Sequence, residues 1–262
     1  MKLRFSRKTL GIPYAVFLVC FVIIPMLVIV FYAFTDDEMH FSFVNFGKFF
    51  SDPTKLSTIV YSLVIALLTT AVTLVIAYPV AYILARSKMQ KKYILLLLFV
   101  TPMWINFVLR VNALREILAW AGMLGEANYF NTILGMVYDF LPFMILPLYT
   151  TLSKIDNSLY EASADLGGNS FTTFTRVTVP LSLPGVLSGM TMVFLPSMTN
   201  YVVSDMLGNS KVTIIGKFIE TYFGTDWHMG SMIALILLVI VLASTLLTGG
   251  FQSENNVRGT TV

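Results

Sequence analysis

Phe194, Ser197 or Met198, Tyr201 and Asp205 recur at spacings of three and four residues, which puts them on one face of a helix. A carboxylate beside aromatic rings suits an ammonium group. The acid supplies charge pairing, and a ring face adds cation–π attraction of about 0.5–2 kcal/mol. Asp205 with Tyr201 beside it is therefore the first candidate for a polar path through the protein; otherwise Asp205 simply opens the loop that follows. Trp104, Asn106 and Arg110 form a second set. Arg110 either lines an anion path, snorkels to an interface or pairs with an acid, and Asp139 is the plausible partner. Tyr138 and Tyr149 line the path or pack, with packing favoured for Tyr149. Asn200 and Thr199 are placed to hydrogen-bond between helices.

Bond-making chemistry has no such candidates. The chain carries no phosphate-cradling G-x-x-x-x-G-K-[ST] loop and no H-E-x-x-H or G-x-S-x-G motif. His40 and His228 stand alone in expected outer loops and read as surface residues. The single cysteine, Cys20, excludes an intrachain disulfide and reads as a buried inert thiol. The 14 methionines read as adaptable packing rather than a metal site. Lys and Arg are too few and too scattered for a nucleic-acid surface. No cofactor is expected.

The elements that must hold these residues follow from composition. Of 262 residues, 56% are apolar and 12% charged, and the mean hydropathy is +0.79. A soluble fold needs a charged, wetted exterior that this chain lacks. A bilayer core about 30 Å thick takes about 20 apolar residues per helix, and the apolar runs give six: Ile12–Phe34, Ile59–Leu84, Tyr93–Leu109, Thr132–Leu152, Leu181–Val203 and Met229–Thr248. The expected fold is an all-α polytopic membrane protein with six transmembrane helices. The first run is too long for the core of a cleavable signal and reads as a retained span. The expected organisation is a first helix and outer loop (1–56), a transmembrane core (57–250) and a short tail (251–262). Prolines at 102, 142, 147 and 196 mark the third, fourth and fifth spans as facing other helices or a cavity.

Orientation follows from the basic residues of the short loops. With the N-terminus inside, eleven of the 17 Lys and Arg lie inside, among them Lys2, Arg4, Arg86, Lys88, Lys154 and Arg176, and six outside, including Lys211 and Lys217. The acids lean the other way, four inside and ten outside. Both termini are expected to be cytoplasmic.

The segment between the fourth and fifth spans is nearly thirty residues long. Ser158-Leu159-Tyr160-Glu161 fits a capping box opening a short helix to Leu166, and Gly167 fits its left-handed stop. Ser170 is expected to cap a second short helix, Phe171 to Val177, ended by Pro180 before the fifth span. Small residues at Ala162, Ser163, Ala164 and Gly167 would let a partner approach closely.

This segment resembles the signature of permease subunits of binding-protein-dependent ABC importers: Glu161-Ala162-Ser163, three residues, Gly167, nine residues, then Val177-Thr178-Val179-Pro180. Ser163, Val177 and Val179 depart conservatively from the Ala, Ile and Leu of the pattern. The resemblance implies the type I ABC importer permease fold in a bacterial cytoplasmic membrane, and a coupling helix that docks in a cleft of an ATP-binding subunit. Carried over, Glu161, Ala162, Ser163, Gly167 and Pro180 are the ATPase-coupling residues; Asp165 and Arg176 either touch the partner or are plainly solvated. The stretches LLFVTPMWINFVLRVNALREIL, LPFMILPLYTTLSKID and MVFLPSMTNYVVSDMLG resemble B-type permease subunits of spermidine/putrescine importers, from about the second span to the end of the fifth. That likeness implies a non-catalytic subunit moving a polyamine, with a second permease subunit, two copies of an ATP-binding subunit and an extracytoplasmic substrate-binding protein as partners. The candidate path residues are then Asp205, Tyr201, Phe194, Trp104, Asn106 and Asp139. An ABC permease for an anion, amino acid or sugar is the alternative. An ion-coupled carrier is disfavoured, since no inverted repeat with central ionisable relays stands out.

Overall fold

The computed structural model describes residues 7–87, 91–124, 128–208 and 212–258, with the backbone alone for 7–10 and 247–258. Lys2, Arg4, Lys88 and Lys211, counted above for orientation, and tail residues 259–262 lie outside the described residues. Among the described residues every regular element is a helix: α1 (Arg7–Leu18), α2 (Ile24–Ala33), α3 (Val44–Phe50), α4 (Pro53–Arg86), α5 (Lys92–Val100), α6 (Phe107–Trp120), α7 (Asn128–Leu152), α8 (Asn157–Asp165), α9 (Ser170–Thr173), α10 (Val179–Thr199), α11 (Tyr201–Leu207), α12 (Ile215–Thr225) and α13 (Trp227–Arg258).

Among the described residues, five helical runs are long and apolar enough to cross a membrane: Gly11–Ala33, Pro53–Arg86, Asn128–Leu152, Ser170–Thr199 and Trp227–Leu246. A sixth arises if Lys92–Trp104 and Phe107–Trp120, bent by 98°, form one broken span. The third span is thus not the single helix expected over Tyr93–Leu109. Pro102 sits in a 3₁₀ turn (Thr101–Trp104) and Ile105 is extended. Asn106 then accepts the Val108 N–H at 2.9 Å, which starts a fresh helix at Phe107.

The fifth span also differs. It runs unbroken from Ser170, through a π turn at Phe174–Thr178, to Thr199. Pro180 does not end the loop helix as expected. The π turn carries the Val179 N–H to the Phe174 carbonyl, and Pro180, which has no N–H to place, follows in the first turn of α10. The span then stops at Thr199, four residues short of the expected end. The Asn200 N–H still reaches the Pro196 carbonyl at 2.9 Å, but its side chain accepts the Val203 N–H and opens α11.

By its contacts the chain divides into two compact units: described residues up to Ser57 with Phe218–Ile240, and Thr58–Lys217 with the described residues from Val241 on. In the first, none of the most apolar stretch of the N-terminal span is buried within the protein, and Ala33 at its end is. Cys20 is exposed there, not buried as expected, because the span around it, from Ile12 to Val28, turns most of its apolar side chains outward. His228 is buried rather than a surface residue: its Nδ1 lies 3.2 Å from both the Thr35 hydroxyl and the Tyr32 carbonyl, and Tyr32 meets the ring edge-on. His40 is exposed.

In the second unit α7 is the centre, with 61% of its most apolar window buried. Met136, Met144, Ile145, Leu148, Tyr149 and Leu152 lie in the core, so Tyr149 packs as expected. Helix α10 lies along α7 through small residues. A methyl on Gly185 would come within 2.6 Å of the Thr151 hydroxyl, and one on Gly189 within 2.5 Å of the Met144 sulfur. Without a hydrophobic drive between helices in lipid, such close backbone approach supplies the packing.

Candidate functional site

The breaks in the third and fifth spans meet at one cavity of about 510 Å³, whose lining includes Trp104, Asn106, Arg110, Asp139, Thr199 and Asn200. Irregular backbone at membrane depth is tolerated only where protein or a cavity covers it, so two helix breaks around one cavity mark a built feature. Arg110, on α6, and Asp139, on α7, form a buried ion pair, the partnership anticipated from sequence. One guanidinium nitrogen, Nη2, bonds Asp139 Oδ1, while Arg110 Nε and Nη1 are buried without partners. The Tyr138 ring lies under the guanidinium at 5.9 Å. Trp104 is 83% exposed, so its ring is not consumed by packing.

The expected fifth-helix face is divided. Tyr201 and Asp205 keep their four-residue spacing on α11, but Phe194 stays on α10 beyond the break and is not among the residues lining the cavity. Ser197 and Met198 are fully buried, and Ser197 donates to the Val193 carbonyl at 2.7 Å. Asp205 faces Lys217, whose Nζ lies 3.0 Å from Oδ2 and 5.4 Å from the centre of the Tyr201 ring. Sequence reasoning missed Lys217 because twelve residues and a helix boundary separate it from Asp205. Its one signal is a Lys in a first helical turn, where a cation is disfavoured.

The loop between α7 and α10 forms the other candidate surface. Helix α8 has no buried residue. Its N-cap is Asp156, two residues before the expected Ser158: Asp156 accepts the Ser158 N–H at 3.0 Å, and no reciprocal bond to Glu161 forms a capping box. This bond to the Ser158 N–H holds the Asp156 carboxyl below its ordinary range. Gly167 has φ +77°, the left-handed stop expected of it. Asn169, not Ser170, caps α9 by accepting the Thr172 N–H at 2.8 Å. Glu161, Ala162, Gly167 and Pro180 are exposed, and Ser163 reaches the Thr173 hydroxyl at 2.8 Å. Asp165 and Arg176 are exposed.

Three features of this loop were not anticipated. Leu166 and Phe171 are 90% and 75% exposed, more so than Leu159, the loop's other exposed large apolar side chain, at 44%. Gly168 is as constrained as Gly167, since a methyl there would come within 2.7 Å of the Ser163 carbonyl. Arg86, at the end of α4, lies 3.6 Å above the Tyr160 ring and donates to Asn157 Oδ1 at 2.7 Å, fastening α8 to the second span.

The family described as "Binding-protein-dependent transport system inner membrane component" matches residues 77–253. The spermidine/putrescine transport system permease protein PotB of Escherichia coli strain K12 is 34% identical over 247 residues, covering 86% of this chain and 90% of that protein. PotB of Haemophilus influenzae is 33% identical over 261 residues, covering 91% of each. Among solved structures, a bacterial ABC transporter involved in import of the acidic polysaccharide alginate superposes with TM-score 0.76 at 15% identity, covering 94% of both chains.

Proposed function

The chain belongs to the family of binding-protein-dependent transport system inner membrane components, and from that premise we propose that it is the permease subunit of a polyamine importer driven by ATP hydrolysed on a separate chain. It is a multi-pass inner-membrane protein with the fold of an ABC importer permease. The observation carrying the substrate class is the 34% identity to PotB across most of both chains. Chemistry supports it: two carboxylates, Asp139 and Asp205, each pair with a cation that lies over an aromatic ring, a combination that suits ammonium groups spaced along a flexible chain.

The translocation path in this reading takes in Asp205, Tyr201, Phe194, Trp104, Asn106 and Asp139. Both carboxylates meet an internal cation, so their net charge is already balanced. Substrate attraction then rests on exchange of partners and on the ring faces rather than on a bare negative charge. Balanced sites hold a passenger weakly enough to release it, as conduction requires.

The α8–α9 loop faces the cytoplasm, with both termini on the same side, and docks an ATP-binding subunit. Glu161, Ala162, Ser163, Gly167 and Pro180 form the coupling surface. Leu166 and Phe171 are its apolar anchors, since exposed apolar side chains on a polar loop fit a partner's groove. The complex comprises a second permease, two ATP-binding subunits and an extracytoplasmic binding protein. Closure of the ATPase pair moves the loop, and the paired permeases rock between inward- and outward-open states.

A second reading, an anionic solute, draws on the two unpartnered nitrogens of Arg110. Uptake into vesicles holding the whole complex separates the two: labelled spermidine should accumulate, and sulfate and a neutral amino acid should not. Sulfate uptake without spermidine uptake would overturn the polyamine reading.

A further inference from the structure

Lys217 occupies the position that the proposed path assigns to a substrate ammonium. Its Nζ is 3.0 Å from Asp205 Oδ2 and 5.4 Å from the Tyr201 ring centre, within the range of about 6 Å over which a cation is held by a ring face. Its backbone is fixed. The Ile215 N–H donates to Ser62 Oγ at 2.7 Å, and Gly216 lies so close to Thr199 that a methyl on it would strike the Thr199 carbonyl. The Lys217 N–H bonds the Ile214 carbonyl at 3.0 Å. The side chains are not sealed: Lys217 and Asp205 remain 32% and 36% exposed. A cation in the first turn of α12 also opposes the helix dipole.

We propose that Lys217 is a tethered competitor for the passenger: its ammonium fills the Asp205–Tyr201 cradle when no substrate is present, yields it to a substrate ammonium in transit, and returns to expel it. Lys217 thereby sets how long a polyamine is held at this station. The inference rests on the reading of Asp205 and Tyr201 as path residues and goes beyond it by assigning a residue that limits affinity. A fixed anionic cradle with no resident cation would hold a polycation too long; a tethered one refills at high local concentration as soon as the passenger shifts.

The test uses the complete importer in nanodiscs, with its binding protein, and labelled spermidine. Acylation of Lys217 by a water-soluble amine reagent, read by mass spectrometry, should rise about threefold with spermidine-loaded binding protein over the unloaded protein, and should be high without substrate in Asp205→Asn. Lys217→Met should lengthen spermidine retention by the washed complex about three- to tenfold, and Lys217→Arg should restore short retention because it keeps the cation. These fold-changes correspond to about half to one power of ten in binding. If Asp205→Asn leaves uptake unchanged, the path reading itself fails. If Asp205→Asn impairs uptake while spermidine leaves Lys217 acylation unaltered and Lys217→Met retains spermidine like the parent, the tethered competitor is overturned and the path reading stands.

Discussion

The cavity between the helix breaks and the loop around α8 use charged and aromatic residues in opposite ways. At the cavity, Arg110 and Asp139 are buried, and their helices α6 and α7 pass through the core that includes Val111, Met136 and Phe140. At the loop, α8 buries nothing, and its described attachments are the Arg86 stack on Tyr160, the Asn157 bond, and the Ser163 contacts to Thr173 and Gly168. Elements with few buried apolar contacts open at low cost, whereas packed, ion-paired ones do not. The cavity is thus built to hold side chains in place. On the proposed coupling role, the loop is the part that a docked ATP-binding subunit would move.

Asp139→Asn is the harshest test of this contrast. It strips a buried guanidinium of its charge partner while Arg110 Nε and Nη1 are already unpartnered. Breaking one side of a buried pair costs about 3–5 kcal/mol, so the variant chain should be nearly absent from the membrane fraction. The double variant Arg110→Met with Asp139→Leu should recover membrane accumulation without recovering spermidine uptake. If the single variant accumulates normally, the pair contributes little to the fold.

Glu161→Lys should do the converse. Reversing an exposed loop charge leaves the fold alone, so the chain should accumulate like the parent. Like-charge juxtaposition at an interface costs several kcal/mol. Uptake, and co-purification of the ATP-binding subunit, should therefore drop about tenfold or more. Loss of the chain itself would break the contrast; unchanged uptake and assembly would remove Glu161 from the coupling surface.

What could be read in the sequence followed the same divide. The loop was legible because its signals are local: Gly167 must stop a helix, and Glu161 and Gly167 carry a spacing that needs no tertiary structure. The caps moved to Asp156 and Asn169, since several Asx and Ser residues in one stretch compete for the same free N–H groups. The Arg110–Asp139 pair was legible because a charge at membrane depth must find another. The helix breaks were not. Periodicity carried the third span past Ile105 and the fifth past Asn200, although both breaks depend on an Asn side chain capping the next helix. Lys217 was hidden for a related reason: it lies on a different helix from Asp205, and only the fold brings the two together.

Arg86→Lys should have the smallest effect and discriminates most finely. Lysine keeps the positive charge at the end of α4 but loses the planar stack on Tyr160 and the directed bond to Asn157. An exposed cation–π contact is worth about 0.5–1 kcal/mol, a factor of about two to five in any equilibrium it biases. Folding and ATPase binding should be unchanged, because α8 remains in place through Ser163 and Gly168. The ATP hydrolysed per spermidine moved should rise about two- to fivefold, since loop motion would reach the second span less faithfully. Tyr160→Phe is the matched control. It keeps the ring under Arg86 and removes a buried hydroxyl that has no partner, so its coupling ratio should equal the parent's. A raised ratio in Tyr160→Phe with none in Arg86→Lys would assign transmission to the hydroxyl and not to the stack. Equal ratios in all three would mean that α8 drives the spans through the continuous helix from Ser170 to Thr199 alone.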